Sequence, residues 1–238
     1  QKLLRRLWRA LRRWHQANPV GVAAARARHH YDVPIELYRL FLDERLQYSC
    51  AYFRDPARDT LDEAQRNKLI HLTSKLQLKP GMTVAEIGSG WGGFAIHLTR
   101  ETGAKVTAFN VSPEQIKVAR ASADAAGVSE RVEGRERDYR QIAGKFDRVV
   151  SVGMMEHVGI GHFDEYFLKI RAMLKPDGYA LIHSIGRMSR PGTTGPFIRK
   201  YIFPGGYVPS LSEVFASTER CGLWCDDAEV LRLHYYYT

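Results

Sequence analysis

Along the second half of the chain, stretches with the apolar pattern of a strand alternate with stretches that have the pattern of an amphipathic helix. This alternation predicts the architecture. Five short stretches have the length of strands, and the first of them is apolar: residues 83–87, 105–109, 132–137, 146–152 and 179–184. Amphipathic stretches between them predict helices at residues 92–102 and 163–174, and a third helix that opens at Ser112 and closes at Gly127. Strands that alternate with helices form a mainly parallel sheet covered on both faces. We therefore predict an α/β, doubly wound fold.

The region before the first strand has helical rather than strand patterning. Thr60-Leu-Asp-Glu63 is a capping box, which predicts a helix from there to about Leu76, and Pro80-Gly81 then interrupts the pattern. We expect residues 29–80 to form a helical cap and residues 81–238 to form the sheet-containing core.

Residues 1–28 form a separate basic arm. They contain eight basic and no acidic residues, so they carry almost all of the net charge of +9. Leucine and tryptophan recur at helical spacing over residues 1–17, with arginines on the other face, which suits an anionic membrane surface. A helix packed on its own domain or on a second subunit is the other interpretation, and a homodimer stays possible. Nucleic-acid binding has no support elsewhere in the sequence.

Cysteine usage and hydropathy indicate the compartment. The three cysteines, Cys50, Cys221 and Cys225, are too few for a disulfide framework, and no further ligands suggest a metal site. No apolar run is long enough to span a membrane, and the N-terminal residues are too basic for a signal peptide. These features predict a cytoplasmic protein without a metal, associated with the inner face of the membrane through its arm.

The segment Glu-Ile-Gly-Ser-Gly-Trp-Gly-Gly at residues 86–93, called the glycine loop below, joins the first strand to its helix. Glycines there permit a tight turn and let a ligand approach bare backbone, and amides at a helix start favour an anion. The spacing also satisfies the dinucleotide fingerprint. However, an NAD site expects an acidic residue at the end of the second strand, where this chain has Asn110. An acid directly before the glycines, here Glu86, instead resembles the motif of S-adenosylmethionine-dependent methyltransferases.

Six stretches together resemble one family in their order and spacing, from about residue 29 to the end. They are His-Tyr-Asp at 30–32, Tyr-Ser-Cys-Ala-Tyr-Phe at 48–53, the glycine loop, Met-Glu-His-Val-Gly at 155–159, His-Ser-Ile-Gly at 183–186 and Tyr-Ile-Phe-Pro-Gly-Gly-Tyr at 201–207. The family is the cyclopropane-fatty-acyl-phospholipid synthases with the related mycolic-acid methyltransferases, and the sequence resembles the phospholipid enzymes more than it resembles generic methyltransferases.

This resemblance implies a Rossmann-like methyltransferase fold and two groups of site residues. The cofactor S-adenosylmethionine would be bound by Tyr48, Ser49, Glu86, Gly88, Ser89, Gly90, Trp91, Gly92, Asn110, Gln115, Tyr139 and Arg140. A bicarbonate ion that acts as the base would be held at the catalytic positions Cys50, Glu156, His183, Ile185 (through its backbone) and Tyr235. The activity it implies is transfer of a methylene group to the double bond of an unsaturated phospholipid acyl chain. Aromatic faces stabilise a cation, and the candidates for that role are Tyr31, Tyr52, Phe53, Phe203 and Tyr207.

Each catalytic candidate also has a purely structural interpretation. Cys50 could be a small buried apolar residue, Glu156 a helix-start acid and His183 a core histidine, and the run of three tyrosines leaves the register of Tyr235 open. The functional alternatives are a methyltransferase that makes methyl-branched lipids or methylates a small amine, a non-catalytic cofactor- or lipid-binding module, and an NAD-dependent oxidoreductase. The resemblance also predicts a further strand and helix beyond Thr238, so we expect the chain to be a fragment or a trimmed form.

Overall fold

The computed structural model describes residues 34–195, 197–198, 201 and 205–238. The predicted arm at residues 1–28 and the candidates Tyr31 and Phe203 lie outside the described residues. The elements in chain order are α1 (Ile35–Arg39), α2 (Leu61–Leu76), β1 (Thr83–Ile87), α3 (Gly93–Thr102), β2 (Lys105–Asn110), α4 (Pro113–Ala125), β3 (Val132–Glu136), β4 (Phe146–Val152), α5 (Phe163–Met173), β5 (Leu174–His183), α6 (Leu211–Arg220) and α7 (Arg232–Tyr237). Short 3₁₀ turns occur at Tyr139–Gln141, Met155–His157 and Ile160–His162.

The five strands form one parallel sheet with the order β3-β2-β1-β4-β5. The central strand β1 pairs with β2 on one side and β4 on the other, so Ile87 faces Phe109 and Ser151 in the two registers. The direction of winding reverses between β1 and β4. In open α/β sheets, the crevice at the carboxyl ends of the strands beside this reversal is where ligands bind.

Local sequence explains why the two best-defined helices start where they do. Thr60 Oγ1 accepts a hydrogen bond from the Glu63 amide at 3.3 Å, and Glu63 Oε2 accepts from the Thr60 amide at 2.8 Å, which completes the predicted capping box of α2. Ser112 Oγ accepts from the Gln115 amide at 3.3 Å, with proline in the first turn of α4.

Two apolar clusters place the sheet between helical layers. One packs α5, through residues such as Phe163 and Tyr166, against one face of β1 and β4. The other packs α2 and α3, through Leu72 and Leu98, against the opposite face. Burial of both sheet faces explains why the strands read as apolar runs rather than as alternating ones. The predicted doubly wound, mainly parallel fold is confirmed.

The fifth strand differs from its prediction at the amino end. It begins at Leu174 instead of residue 179, because Leu174 already pairs with Phe146. The segment Pro-Asp-Gly at residues 176–178 lies at a bulge inside the strand, where the register between β4 and β5 shifts before Tyr179 pairs with Arg148. A side chain at Gly178 would come within 2.9 Å of Leu174 Cδ2, so the bulge closes tightly at this glycine. Smaller differences shorten β3 and α5 by one residue each.

Within the described residues, none of the helices combines the length and the apolar character needed to cross a bilayer.

Candidate active site

The glycine loop leaves β1 at the centre of the sheet and turns sharply into α3. The amides of Gly88 and Ser89 donate to the Phe109 carbonyl at 2.9 and 3.1 Å, which ties the loop to the end of β2. Gly88, Gly90 and Gly92 all have φ between +51° and +86°, which favours glycine. A Cβ at Gly92 would lie 2.7 Å from the Cβ of Ala119, so α4 also approaches this loop too closely for a side chain.

Two buried polar atoms of the loop face this site without a protein partner. Glu86 Oε2 and Ser89 Oγ have no hydrogen bond to any residue that the structure describes. Burial raises the pKa of Glu86 to about 8, with the positive charge of Lys68 acting in the opposite direction. An unsatisfied buried polar group costs free energy, so it indicates a ligand that supplies the missing partner. These atoms fit a ligand that carries hydrogen-bond donors and acceptors, as the amino-acid end of S-adenosylmethionine does.

Asn110 and Gln115 lie on the other side of the loop, at the end of β2 and in the first turn of α4. Asn110 Nδ2 donates to Gln115 Oε1 at 2.8 Å and to the Gly90 carbonyl at 3.2 Å, while its Oδ1 accepts from the amides of Val111 and Ser112. Both side chains are buried. The structure thus brings these two predicted cofactor residues together beside the glycine loop.

Tyr139 and Arg140 follow β3 and are held by an aspartate that the sequence analysis did not select. Asp138 accepts a two-pronged ion pair from Arg140 through Nε at 2.9 Å and Nη2 at 2.8 Å. This pairing raises the pKa of Arg140 and keeps the guanidinium in one orientation. The Tyr139 ring is buried edge-on against Tyr166 at 5.4 Å, and its burial raises its pKa. Asp138 could have been found as the residue that caps the turn at Tyr139–Gln141.

The segment of residues 47–53, which carries Tyr48, Ser49 and Cys50, lies between α2 and α7. From α2, Gln65 Nε2 donates to the Ser49 carbonyl at 2.8 Å. From α7 and the residue after it, Thr238 Oγ1 accepts from the Ala51 amide at 3.0 Å. Cys50 is buried between these contacts, and burial raises the pKa of its thiol.

The ring of Tyr38, on α1, connects this segment with the glycine loop. It packs edge-on against Tyr48 of the segment at 5.9 Å and against Trp91 of the loop at 5.6 Å. Trp91 is buried, whereas about half of Tyr48 is exposed. A side chain at Gly93 would come within 2.7 Å of Gln47 Nε2, so the 47–53 segment crosses directly over the start of α3.

Glu156 lies in the 3₁₀ turn after β4 and is held by one carboxylate oxygen. Oε1 accepts from the Ile185 amide at 2.6 Å, whereas Oε2 is buried and has no hydrogen bond within the described part of the chain. Burial raises the pKa of Glu156, and its hydrogen bonds oppose this shift. The Ile185 amide is therefore engaged by Glu156, and the Ile185 carbonyl accepts from Ser184 Oγ.

His183 ends β5, beside the strand that leads to Glu156. Its Nδ1 is buried and finds no partner among the residues described here. Burial lowers the pKa of His183 to about 4, and the Lys68 charge lowers it further, so the ring is neutral near pH 7. Burial also raises the pKa of Tyr235, as do the negative charges of Cys50, Glu156 and Tyr48.

The three consecutive tyrosines differ in exposure and packing. Tyr236 is 81% exposed, Tyr237 packs edge-on against Phe53 at 5.9 Å, and Tyr235 is 53% exposed with its pKa raised. Glu156 and Ile185 are in direct contact, and the grouping of Cys50, His183 and Tyr235 with them stays a prediction.

Comparison with known proteins identifies the family. The family model described as mycolic acid cyclopropane synthetase matches residues 21–238. The chain belongs to this family. Over 218 residues it is 43% identical to a probable fatty acid methyltransferase of Pseudomonas putida, a match that covers 88% of this chain and 55% of the relative. Over 195 residues it is 43% identical to the cyclopropane-fatty-acyl-phospholipid synthase of Escherichia coli K12, covering 80% of this chain and 48% of the relative.

A solved structure of the family has the same fold. The mycolic acid cyclopropane synthase CmaA1, crystallised with S-adenosylhomocysteine and CTAB, aligns with a TM-score of 0.83 and 29% identity over 92% of this chain and 80% of that one. The predicted Rossmann-like methyltransferase fold is thereby confirmed. The chain spans about half the length of the two full-length relatives named above.

For this cyclopropane synthetase family member, the structure reduces the number of aromatic residues that could stabilise a cation with a ring face. The Tyr52 ring is stacked between the rings of His71 and His234, with centroids at 4.4 and 4.3 Å, so both of its faces are covered. Tyr207 is buried in the core, and its hydroxyl donates to Glu213 at 2.6 Å. The choice of these two residues was wrong, because packing uses the ring faces that a cation would need.

Lys68 is the charged residue of the site that sequence reasoning missed. It lies on α2 and is 1% exposed, and its Nζ donates to Ser49 Oγ at 2.9 Å and to Gln47 Oε1 at 3.0 Å. Burial lowers its pKa to about 7, against the charges of Asp43, Cys50 and Glu86. A signal was present: Lys68 stands four residues from Ala64 and from Leu72, on the inward stripe of an amphipathic helix.

Proposed function

We propose that this family member uses S-adenosylmethionine to convert the double bond of an unsaturated phospholipid acyl chain into a cyclopropane ring, with bicarbonate as the base. The observation that carries the proposal is the pair of unpartnered buried atoms in the described structure, Glu156 Oε2 and His183 Nδ1, and the Cys50 thiol is buried as well. The family membership supplies the reaction class. The E. coli relative is named for the phospholipid reaction.

The cofactor side of the site would be formed by the glycine loop and its neighbours. When bound, S-adenosylmethionine supplies an electrophilic methyl group. Glu86 Oε2 and Ser89 Oγ would bind the amino-acid end, and Asn110 with Gln115 would bind the ribose hydroxyls with neutral groups. The solved relative crystallised with S-adenosylhomocysteine supports this choice of cofactor. Arg140 would lie along the adenine, oriented by its ion pair.

The chemistry requires two carbon–carbon bonds to form, one carbon–sulfur bond to break and one proton to leave. The alkene attacks the methyl carbon, the carbon–sulfur bond breaks, and a proton lost from the transferred carbon lets the ring close. When bound, bicarbonate supplies the base for that proton. Glu156 Oε2 and His183 Nδ1 would hold the ion by hydrogen bonds, because both atoms are buried without a partner in the described structure and their residues lie at the carboxyl ends of the neighbouring strands β4 and β5. The raised pKa of Glu156 makes its carboxylate a stronger hydrogen-bond acceptor for the hydroxyl of bicarbonate than an exposed one.

Protein groups would keep their own negative charge low around a developing cation. Burial raises the pKa of the Cys50 thiol, which keeps it protonated and able to donate, and Tyr235 contributes a neutral hydroxyl. A diffusible anion that leaves as a neutral acid avoids a fixed unpaired carboxylate beside the cation.

A methyl-branched product is the second candidate. The Pseudomonas putida relative is named a probable fatty acid methyltransferase. The same methyl transfer gives a branched alkene if the proton leaves from a neighbouring chain carbon instead. The position of the base relative to the transferred carbon decides between the two products.

Product analysis tests both candidates. Purified protein is incubated with labelled cofactor and vesicles of a mono-unsaturated phospholipid, and the released fatty acids are separated by gas chromatography with mass spectrometry. A labelled ring carbon supports cyclopropanation, and a labelled branch supports methylation. Cofactor binding in calorimetry without any labelled lipid would reject both and favour a binding module.

A further inference from the structure

The buried ammonium group of Lys68 has no carboxylate in contact with it. Its two hydrogen bonds go to neutral oxygens, Ser49 Oγ and Gln47 Oε1, and the described residues place no acidic oxygen within ion-pair distance of Nζ. A buried charge is costly unless it is paired. Natural proteins retain such a group where a ligand supplies the opposite charge.

The direction of the Ser49 hydrogen bond indicates where that charge would bind. Because Ser49 Oγ accepts from Lys68, its own proton is available to a different acceptor. Ser49 lies on the 47–53 segment, which crosses the start of α3 next to the glycine loop. A hydroxyl polarised by an ammonium group donates strongly to an anionic oxygen.

We propose that Lys68 is a positioning residue for the cofactor, which orients Ser49 as a donor to the carboxylate of its amino-acid end and supplies the balancing positive charge. This inference rests on the proposed function, because it takes S-adenosylmethionine as the ligand. Lys68 acts through Ser49 and through its field, and it transfers no atom in the reaction.

The competing explanation is that Lys68 only anchors the 47–53 segment and has no effect on the cofactor. A substitution at Gln65, a nearby position on the same helix, distinguishes the two explanations. Gln65, three residues before Lys68, also holds this segment, but through the backbone carbonyls of Ser49 and Gln47 and without charge. Gln65→Met therefore removes an anchor only. Lys68→Met removes an anchor, the Ser49 polarisation and the charge.

The test measures the affinity for S-adenosylhomocysteine by calorimetry from pH 6 to pH 9, with folding checked by thermal unfolding. We expect Lys68→Met to weaken binding about tenfold at pH 6, the loss of one hydrogen bond to a charged group. The ratio of the Kd of Lys68→Met to the Kd of the unmodified protein falls towards one at pH 9, because Lys68 of the unmodified protein has lost its proton at that pH. The ratio for Gln65→Met stays constant with pH. Titration of the ligand cancels in both ratios.

The other ionisable groups that act on Lys68 are Asp43, Cys50, Glu86 and His183. Of these, Glu86 titrates in the same range, so the ratios are repeated with Glu86→Gln in every protein. If Lys68→Met does not fold, Lys68→Arg replaces it. The permanently charged guanidinium keeps affinity at pH 9, where the unmodified protein loses it.

A folded Lys68→Met protein with unchanged Kd, or with a ratio that does not vary with pH, overturns the inference. The inference is also overturned if the affinity of the Lys68→Arg protein declines with rising pH in the same way as that of the unmodified protein. No lipid enters this assay, so an inactive protein in the product analysis leaves the result interpretable. Failure of the unmodified protein to bind S-adenosylhomocysteine would instead reject the proposed cofactor.

Discussion

The Ile185 amide donates to Glu156 Oε1 at 2.6 Å, and this contact fixes which carboxylate oxygen is left for chemistry. Residue 185 follows the end of β5, and residue 156 follows β4, so the pairing of two parallel strands sets the geometry. Oε2 is left buried and without a hydrogen bond in the described part of the chain. Glu156→Gln therefore keeps the contact through its amide oxygen while it removes the basic atom.

For Glu156→Gln, we expect lipid turnover to fall about 10²- to 10⁴-fold, the range for loss of general-base catalysis, because the proposed bicarbonate base would lose the carboxylate oxygen that holds it. Affinity for S-adenosylhomocysteine is expected to stay within about twofold, because the proposed partner of Glu156 is bicarbonate and not the cofactor. Glu130→Gln, at an exposed position, is the matched control and keeps full turnover. Equal loss of turnover and of cofactor affinity in Glu156→Gln would contradict a role confined to the acyl-chain side of the site.

A second prediction concerns the close contact between the glycine loop and α4. A Cβ at Gly92 meets Ala119 Cβ at 2.7 Å, and the residue has a φ of +86°. Gly127 also has a positive φ, +69°, but a Cβ there meets nothing within 4 Å. Gly127→Ala carries the conformational strain alone, about 1 kcal/mol in the free energy of unfolding. We expect Gly92→Ala to cost about 2 kcal/mol or more, since a backbone shift is added.

Urea unfolding measures both glycine variants, and calorimetry measures their affinity for S-adenosylhomocysteine. Only Gly92→Ala is expected to lose cofactor affinity, because only this residue belongs to the loop. Equal destabilisation by the two substitutions would show that α4 moves away at no cost and that the close contact is not a constraint.

The sequence was informative where a local pattern alone determines the structure. The capping box at Thr60, the serine cap at Ser112, the apolar strands and the glycine loop all depend on residues a few positions apart, and each is found where it was predicted. The fifth strand was misplaced because its amino end is fixed by pairing of Leu174 with Phe146, a contact that no local pattern contains.

The site residues divide in the same way. The resemblance selected Cys50, Glu156 and Tyr235 from three distant parts of the chain, and their grouping stays a prediction. It missed Lys68, since a lysine on a helix is ordinarily solvated and only the covering 47–53 segment makes it buried. Tyr52 was chosen separately, because an aromatic face can stabilise a cation, and its ring faces are occupied by histidines from α2 and α7, a packing arrangement that composition does not reveal.

A third prediction concerns the pH dependence of stability. Asp147, at the start of β4, accepts from Lys175 Nζ at 2.8 Å and from the amide and hydroxyl of Thr83. The Lys175 and Thr83 hydrogen bonds lower the pKa of Asp147 to about 2, from an ordinary value of 3.8. Because the folded-state pKa is the lower one, the stabilisation is present above pH 4 and is lost as the pH falls towards 2.

Asp147→Asn is expected to lower the free energy of unfolding at pH 7 by about 1 kcal/mol, a modest amount because solvent screens this partly exposed pair. Near pH 2 the difference from the unmodified protein shrinks, since the native carboxyl is then also neutral. Urea unfolding at several pH values measures both, with the exposed Asp177→Asn as the control. A difference that stays constant from pH 7 to pH 2 would show that the carboxylate charge contributes nothing.

The final prediction concerns the arm, whose structure lies outside the described residues. Residues 1–17 contain six basic residues and no acidic ones, with tryptophans at positions 8 and 14. Each basic residue near an anionic lipid surface contributes about 1 kcal/mol, and the tryptophans insert at the interface. We propose that this segment holds the enzyme on the membrane that carries its substrate, and expect its deletion to weaken binding to anionic vesicles at least 100-fold.

Co-sedimentation with vesicles measures this binding, and three readouts separate the explanations for the arm. Vesicles of a purely zwitterionic lipid should bind both forms weakly, because the charge term is absent. Affinity for S-adenosylhomocysteine and the unfolding midpoint should be unchanged by the deletion, since the proposed cofactor-binding and catalytic residues all lie between residues 48 and 235. A lowered unfolding midpoint with unchanged vesicle binding would instead assign the arm to packing on the protein, because a helix that covers an apolar surface stabilises the fold whether or not lipid is present.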